Sequence, residues 1–427
     1  MRVGITTWGT EGDLRPFIAL GHALVRRGHT VRLDYTSIEG RDLGPLAASA
    51  GVVTRSIAQE YFAPRRDQIR RQMASVFAST SPLAQIRGIV ESTLDPVTDV
   101  MFDAADELAR TSDVMVGHFM THPAGAAAQK HKRPYVLVAL APVLPSALYP
   151  PIGTPDLGRL ANPLLWWILG RVLESVLKER VNRTRARAGI PAVENLLART
   201  LDQVTRVLVA VSPILFARPA DWDPRIALSG FLRMPESLEP WEPDAALRAF
   251  LEKGDPPVFL SFGSMLSVGD PRTLEAVDAM HGALAKAGMR GVIQAPADVV
   301  ESRTMDDTAC FILRAPHAQL FPRCSVIVHH GGAGTTQSAL LAGRPSVVVP
   351  HVADQFFWGE RLMKLGVGVK PLPRVKLTAN RLAERLREAA GDPALQERTL
   401  AAGAGLSAED GSTRAAELIE QTFEVHA

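Results

Sequence analysis

The stretch from residue 326 to residue 336 constrains the fold of this chain most strongly. Its sequence is Val-Ile-Val-His-His-Gly-Gly-Ala-Gly-Thr-Thr, a β-branched run that leads into two histidines and then into a glycine-rich turn. The residues that follow, through Ala342, have a helical pattern. We therefore predict a strand, a tight loop and the start of a helix in direct succession.

The glycine-rich loop has the chemistry of an anion site. Glycines let backbone N–H groups approach an oxyanion closely, and the free amides of a helix N-terminus add about half a positive charge. His330 lies just past the predicted strand, at the edge where open α/β sheets place their ligands, and Thr335 offers a hydroxyl to the same anion. We predict that the loop binds a diphosphate, although many Rossmann-type folds bind phosphates with such a loop.

A second cluster of polar residues makes this prediction more specific. The sequence Pro350-His351-Val352-Ala353-Asp354-Gln355 follows the next predicted strand, residues 346–349. The carboxylate of Asp354 and the amide of Gln355 are suited to hydrogen-bonding several sugar hydroxyls. The glycine-rich loop also lacks the lysine of a P-loop.

These residues together resemble the donor signature of the UDP-glycosyltransferase family. The longer run from Ala315-Pro316-His317, through the glycine-rich loop, to Trp358 is most similar to the branch of sterol glucosyltransferases and glycopeptide-aglycone glycosyltransferases. The resemblance covers most of residues 256–392 and, in the N-terminal half, mainly the beginning of the chain. It implies an α/β fold of GT-B architecture, in which two Rossmann-like domains face each other across a cleft.

The resemblance also implies a division of the chain. An acceptor-binding Rossmann-like domain is expected over residues 1–212 and a nucleotide-sugar-binding one over residues 246–406. Residues 213–245 contain six prolines and are predicted to form a linker, because such density disfavours regular structure. Residues 407–427 are expected to form a C-terminal helix that packs back on the first domain.

By the same resemblance, the donor contacts fall on residues from both halves of the chain. They are Thr10, Gly12, Ser264, His317, His330, Gly332, Gly334, Thr335, Asp354 and Gln355. Ser264 ends the predicted strand 258–265, and His317 lies where relatives hold the uracil through backbone contacts. Arg314 occupies the place of the stacking tryptophan of plant relatives.

Asp13 has two interpretations. The pattern alone indicates an N-cap for a helix predicted over residues 14–27, with Pro16 in its first turn. The run Gly12-Asp13-Leu14-Arg15-Pro16 also resembles the family's Gly-Asp-Val-x-Pro, in which the carboxylate is the catalytic base that activates the acceptor. The helix N-terminus is expected to favour the ionised carboxylate. The preceding loop lacks GxGxxG spacing, which disfavours a dinucleotide site.

Candidate acceptor contacts are His118, at the end of a predicted strand, and Trp166, in a predicted amphipathic helix over residues 162–187. A histidine at a strand end and a tryptophan in an amphipathic helix more often have a structural role than a ligand-binding one. The family, however, builds its acceptor pocket in this region. Four arginines form a basic group, namely Arg65, Arg66, Arg70 and Arg71. The group is either a solvated helix face or a weak contact with a membrane surface.

Metal binding is not expected. The spelling Asp221-Trp222-Asp223 matches the DxD metal motif of another glycosyltransferase architecture, but it lies in the predicted linker beside Pro224, away from the phosphate loop. We predict no metal and no cofactor other than a nucleotide sugar as co-substrate.

Composition excludes several classes of protein. A net charge of +2 does not favour nucleic acid as a partner. The two cysteines, Cys310 and Cys324, lie near predicted buried strands, which disfavours a disulfide framework. No apolar run approaches the ~20 residues that span a bilayer, and the first residues enter a strand directly. A cytoplasmic location is therefore expected.

The resemblance implies an inverting transfer of a sugar, with UDP-glucose as the first choice of donor, to a hydroxyl of a lipophilic acceptor such as a sterol, a polyketide or another aglycone. Alternatives are a GT-B nucleotide-sugar epimerase, a polysaccharide-type transferase and a non-catalytic partner protein. A NAD-binding oxidoreductase is disfavoured because the glycine-rich loop lies late in the chain. The acceptor, the sugar, UDP versus TDP and the oligomeric state stay open.

Overall fold

The computed structural model describes residues 1–79, 81–266, 268–352 and 354–424. The chain divides into two compact units. The first comprises residues 1–238 together with the C-terminal segment from residue 410, and the second comprises residues 239–409.

The first unit alternates strands and helices. Its strands are β1 (Arg2–Gly9), β2 (Thr30–Ser37), β3 (Val53–Ser56), β4 (Val114–His118), β5 (Tyr135–Ala139), β6 (Arg206–Val209) and β7 (Ile226–Leu228). Its helices before residue 239 are α1 (Glu11–Arg26), α2 (Gly44–Ser49), α3 (Gln59–Phe62), α4 (Arg66–Ala78), α5 (Pro82–Ile89), α6 (Thr98–Thr111), α7 (His122–Lys130) and α8 (Asn162–Arg187).

The second unit follows the same pattern. Its strands are β8 (Val258–Ser261), β9 (Gly291–Gln294), β10 (Ala309–Ile312), β11 (Ile327–His329) and β12 (Ser346–Val348). Its helices are α9 (Ala245–Glu252), α10 (Pro271–Ala287), α11 (Ala297–Glu301), α12 (His317–Leu320), α13 (Ala333–Leu341), α14 (Asp354–Lys364), α15 (Ala379–Gly391) and α16 (Pro393–Ser407). The last helix, α17 (Gly411–Glu424), returns to the first unit.

Each unit is built on one parallel sheet. Over the described residues the strand order is β3-β2-β1-β4-β5-β6-β7 in the first sheet and β10-β9-β8-β11-β12 in the second. The order reverses between β1 and β4 in one sheet and between β8 and β11 in the other. In open parallel sheets, ligands bind at the carboxyl ends of the strands at such switch points. The predicted fold class, two Rossmann-like parallel-sheet domains, is confirmed.

Helix α1 shows how the sequence builds this fold. Its apolar residues Phe17, Leu20 and Leu24 recur at helical spacing and are fully buried with Ile5 of β1 in one core. Burying side chains of this size stabilises a fold by roughly 1.5–3 kcal/mol each. The helix is thereby fixed against the sheet, and its N-terminus is held at the carboxyl end of β1.

The predicted linker over residues 213–245 differs from the structure. Its first part belongs to the first unit, where β7 pairs in parallel with β6, and the units divide after Leu238. Trp222 and Phe216 are buried there with their rings 5.7 Å apart. The prolines interrupt regular structure, but the apolar residues between them supply enough burial to hold the segment on the sheet.

The C-terminal helix also begins later than predicted. Helix α16 ends at Ser407 and α17 begins at Gly411, where an added Cβ would lie 2.5 Å from the backbone of Gly230 and Phe231. The close backbone contact requires glycine at this position. Helix α17 packs against α1 within the first unit.

The two cysteines are buried free thiols. Among the helices of the described residues, none combines the length and the apolar character needed to cross a membrane.

Candidate active site

The loop between β1 and α1 fixes the carboxylate of Asp13. Asp13 Oδ2 accepts hydrogen bonds from the backbone N–H of Thr10 at 2.8 Å and from Thr10 Oγ1 at 2.9 Å. Gly9 has φ of +138°, and a Cβ added there would lie 2.4 Å from Asp13 Oδ2. Only glycine therefore lets the carboxylate lie against this turn.

The prediction that Asp13 is the N-cap residue of the first helix is wrong by three positions. Helix α1 begins at Glu11, so Thr10 is the N-cap and Asp13 is the third helical residue of a capping box. The sequence Thr-Glu-Gly-Asp carries this signal, which lies upstream of the apolar periodicity that suggested a start at Leu14. Thr10, predicted as a donor contact, holds Asp13 in place.

Burial outweighs the effect that was expected of the helix N-terminus on Asp13. Burial of the carboxylate raises the pKa of Asp13 from 3.8 to about 6, against the two hydrogen bonds from Thr10, which lower it. The negative charge of Glu39 makes a smaller contribution in the same direction as burial. Desolvation of the ion outweighs the hydrogen bonds at the helix end, and the result is a base whose pKa lies near neutral pH.

A small charge network surrounds this turn. Glu11 lies 3.1 Å from Arg15 and 2.8 Å from Arg41, and the backbone N–H of Glu11 donates to Glu39 at 3.3 Å. Gly12, predicted as a donor contact, is exposed in the first turn of α1, and an added Cβ would meet only Thr10 Oγ1 at 3.7 Å.

His118 lies at the carboxyl end of β4, beside β1. Its ring is buried against Phe17 of α1, with ring centroids 5.8 Å apart, and burial lowers its pKa to about 3. Its Nε2 atom is buried without a hydrogen-bond partner in the described structure. His118 is thus a neutral imidazole, and Phe17 lies one helical turn after Asp13 on α1.

The two tryptophans of α8 have different environments. Trp166 is buried and its Nε1 donates to the carbonyl of Tyr149 at 2.8 Å, which anchors the segment before α8. Trp167 is 63% exposed. Trp166, the predicted acceptor contact, therefore has a structural role, and Trp167 is the member of the pair that a ligand can reach.

In the second unit, His330 and the glycine-rich loop form a closely packed turn between β11 and α13. Gly331 has φ of +94°, and a Cβ added to Gly332 would lie 2.5 Å from His330 Nε2. A Cβ added to Gly263, after β8, would lie 3.2 Å from His330 Cε1. The imidazole thus lies between the loops that follow the two central strands of the sheet.

His330 offers hydrogen bonds rather than a fixed charge. Burial lowers its pKa to about 4, so the imidazole is neutral at pH 7, and its Nδ1 atom has no partner in the described structure. The positive potential of the turn therefore comes from backbone amides and the N-terminus of α13.

Three predicted donor contacts lie on the same two loops. Ser264 is exposed in the short turn Gly263–Met265, Gly334 is exposed in the first turn of α13, and Thr335 is half-buried beside it. Among the described residues, and apart from the adjoining backbone of its own helix, no atom lies within 4 Å of a Cβ added to Gly334. The structure therefore brings these three residues to the β8 and β11 end of the sheet, as predicted.

The amide oxygen of Gln355, a predicted donor contact, is occupied within the protein. Its Oε1 accepts from the backbone N–H of His351 at 2.8 Å and from that of Val352 at 3.1 Å. Only the NH₂ group is then left to donate. Asp354, at the start of α14, accepts from Trp358 Nε1 at 3.3 Å. Residue 353, between the two parts of this cluster, lies outside the described residues.

His317 begins the short helix α12 and stacks on Phe321, with ring centroids 4.3 Å apart and planes inclined by 16°. It also makes an edge contact with Phe259 of β8. The imidazole is thus part of an aromatic group with Phe321 and Phe259.

The DxD spelling has a structural explanation. Asp221 accepts from Ser146 Oγ at 2.8 Å and from the backbone N–H of Ala147 at 2.6 Å. Asp223 binds Arg225 at 2.9 Å, and this hydrogen bonding lowers the pKa of Asp223 to about 2. Both carboxylates hold loops together. Among the described residues, no group of three or more metal-binding side chains was found.

The basic group on α4 and the turn before it is mostly exposed. The Arg65 guanidinium lies 4.6 Å from the centre of the Tyr61 ring, Arg66 donates to the carbonyl of Gly40 and Arg70 lies 3.5 Å from Asp67. These contacts fit the solvated face that the sequence suggested.

Two residues with a place in the site were not predicted. Glu39 lies close enough to Asp13 to affect its pKa, but it follows β2 and only the fold brings it near. His351 was part of the quoted cluster without an assigned role. Its ring packs on Phe262 with centroids 5.0 Å apart.

Known proteins with similar sequences and structures are glycosyltransferases. Residues 292–421 match the family model of the erythromycin biosynthesis protein CIII-like C-terminal domain. The chain is 30% identical to glycosyltransferase GtfC of Amycolatopsis orientalis, over 98% of this chain and 97% of that protein. It is 28% identical to O-mycaminosyltylonolide 6-deoxyallosyltransferase of Streptomyces fradiae, over 99% and 98% of the two chains.

A plant relative is longer. Sterol 3-beta-glucosyltransferase UGT80A2 of Arabidopsis thaliana is 29% identical over 90% of this chain, which spans 60% of the plant protein. Among solved structures, the glycosyltransferase of kitacinnamycin has a TM-score of 0.70 at 21% identity, with 99% of both chains covered. The glycosyltransferase VinC, in complex with dTDP, has a TM-score of 0.68 at 19% identity, with 100% of both chains covered.

These similarities establish the class of the protein. The chain belongs to the glycosyltransferase family that includes GtfC, and its two parallel-sheet units have the GT-B architecture. The family and the enzyme class predicted from the sequence are confirmed.

Proposed function

We propose that this glycosyltransferase moves a sugar from a nucleotide diphosphate sugar, with UDP-glucose as the preferred donor, to a hydroxyl of a lipophilic aglycone of the sterol or polyketide type. The family assigns the class of reaction, and the names of the relatives, which include sterol and macrolide substrates, support the acceptor class. The dTDP complex of VinC makes TDP-sugars the competing donors.

The second unit supports the donor half of this proposal. A diphosphate bound at the turn between β11 and α13 would meet the amides of residues 331–334, the N-terminus of α13 and the neutral imidazole of His330. All these groups donate hydrogen bonds, so they stabilise the negative charge that grows on the leaving diphosphate. Because the donors are fixed by the fold, little reorganisation is needed during the reaction.

Asp13 carries the proposal, because its carboxylate is fixed at the carboxyl end of β1 and its pKa is raised to about 6. In the proposed step the acceptor oxygen attacks the anomeric carbon while the bond from that carbon to the diphosphate oxygen breaks. The acceptor proton passes to Asp13. Direct attack opposite the leaving group inverts the configuration at the anomeric carbon.

Exposed apolar side chains support a lipophilic acceptor. Leu160 is 97% exposed and Leu164 is 58% exposed, close in sequence to the exposed Trp167. Exposed apolar residues that form a contiguous patch often mark a binding site. We propose that these three side chains contact the ring system of the acceptor.

The nucleotide sugar is proposed as the sole co-substrate, without a metal. The amides of the loop, the N-terminus of α13 and His330 supply the positive potential that a divalent cation supplies in other transferases.

The proposal is tested by offering UDP-glucose and TDP-glucose with a panel of sterols and polyketide alcohols and analysing the products by mass spectrometry. We expect an acceptor whose mass increases by one hexosyl group, formed faster from UDP-glucose. Release of free UDP without any acceptor would indicate an epimerase instead. Absence of both products across the panel, with folded protein, would favour a non-catalytic partner.

A further inference from the structure

His351 lies among the groups proposed to bind the donor. It follows β12 directly, its backbone N–H is held by Gln355 Oε1 at 2.8 Å, and its ring packs on Phe262 at the end of β8. It is also close enough to His330 for the two imidazoles to affect each other electrostatically. The ring is therefore fixed at the carboxyl edge of the sheet by contacts with two neighbouring loops.

The hydrogen bonding of His351 determines its tautomer. Its Nδ1 lies 2.9 Å from the carbonyl oxygen of Val349, which can only accept, so Nδ1 carries the hydrogen. Burial, with smaller contributions from the nearby His330 and Arg374, lowers the pKa of His351 to about 3, against the hydrogen bond to the carbonyl of Val349, which raises it. The ring is thus neutral at every physiological pH, and Nε2 carries a lone pair that can accept a hydrogen bond.

This lone pair accepts a hydrogen bond, whereas most of the other groups proposed to bind the donor can only donate one. The backbone amides of residues 331–334 donate, and Gln355 has only its NH₂ group to offer, since its oxygen is occupied. Among the described residues, Nε2 of the half-buried His351 ring has no hydrogen-bond partner. A neutral acceptor in this position suits a ligand that carries hydroxyl groups.

We propose that His351 Nε2 accepts a hydrogen bond from one hydroxyl of the donor sugar and thereby selects sugars that keep this hydroxyl over the corresponding deoxy sugar. The inference rests on the proposed function, because it assumes a nucleotide sugar at this edge. It deepens that proposal by naming the class of sugar, one that keeps the hydroxyl that His351 contacts.

The test compares donors that differ by one hydroxyl. Binding of UDP-glucose and of its 2-, 3-, 4- and 6-deoxy analogues is measured by calorimetry for the wild type and for His351→Phe, which keeps a ring against Phe262 but has no ring nitrogen. For the wild type we expect the analogue that lacks the hydroxyl bound by His351 to bind roughly three- to tenfold more weakly than UDP-glucose, as expected for one neutral hydrogen bond. In His351→Phe this difference should disappear, because UDP-glucose loses affinity while that analogue does not.

Two further variants serve as controls. His351→Gln offers a side-chain oxygen and should keep part of the discrimination. His281→Gln, on α10 and outside the site, should leave it unchanged, and melting temperatures establish that the variants are folded. Equal losses for all donors in His351→Phe would overturn the proposal, as would a wild type that does not discriminate. If discrimination in binding is found but no acceptor is glycosylated, the proposed function fails and the role of His351 in donor selection stands.

Discussion

Replacing Asp13 with asparagine separates catalysis from structure at this position. The substitution keeps the size of the side chain and an oxygen that can accept the hydrogen bonds from Thr10, but it removes the base. General-base catalysis typically contributes ~10²–10⁴-fold to the rate. We therefore expect kcat to fall by that factor while the affinity for UDP, measured by calorimetry, stays unchanged.

The pKa of Asp13 also predicts the pH profile. With a pKa of about 6, roughly 90% of the carboxylate is ionised at pH 7 and roughly 10% at pH 5. The wild-type kcat/KM should then fall by about tenfold between these values. Glu39→Gln removes the charge that raises this pKa, so its acid limb should lie at lower pH with turnover at pH 8 unchanged.

The same pKa predicts how stability responds to pH. The folded-state pKa is raised above 3.8, so the stabilisation from the protonated carboxyl is fully present below about pH 4 and is lost as the pH rises through about 6. The difference corresponds to at most about 3 kcal/mol, and less because the side chain keeps some contact with water. Asp13→Asn should therefore be at least as stable as the wild type at pH 7, with its advantage gone below pH 4.

Turnover, the pH profile and the melting temperature are measured on one preparation of each protein. Near-wild-type turnover in Asp13→Asn, together with an unchanged melting temperature, would refute Asp13 as the base and leave it only a capping role. A melting temperature that drops at pH 7 would show instead that the burial argument is wrong.

Three other predictions follow from the same contacts. Gly332→Ala should displace His330 and weaken UDP binding by roughly tenfold or more. The control Gly391→Ala, whose added Cβ meets no other atom of the described residues within 4 Å beyond its adjoining backbone, should bind UDP normally. Equal UDP affinities of the two variants in calorimetry would contradict this prediction. Transfer should continue in EDTA, and activity that is abolished by EDTA and restored by Mg²⁺ or Mn²⁺ would disprove metal independence. Trp166→Ala should lower the melting temperature, because the buried side chain leaves a cavity. Trp167→Ala should raise the KM for the acceptor with little change in the melting temperature. The reverse pattern would show that the roles of the two side chains are exchanged.

The sequence predicts the second unit well because its signals are local. The β-branched residues of β11, the glycine loop and the start of α13 are contiguous, and Ser264 and His330 each follow a strand of the same sheet. Parallel strands end at one edge, so residues far apart in sequence meet there by topology alone.

The first unit was harder to predict because its features depend on tertiary burial. Whether Asp13 is ionised depends on the balance between desolvation and the hydrogen bonds from Thr10, and the local pattern shows only the latter. The distinction between Trp166 and Trp167 depends on the carbonyl of Tyr149, from a segment that has no recognisable pattern. Strand β7 was missed because prolines dominate the segment around it.

The most direct test of the account is the anomeric configuration of the product. UDP-glucose carries an α-linked sugar, and attack by an acceptor that Asp13 activates must invert this centre. The coupling constant of the anomeric proton, measured by NMR on the product of a single acceptor, should therefore show a β-linked glucoside. An α-linked product would contradict the one-step displacement and, with it, the role of Asp13 as the base.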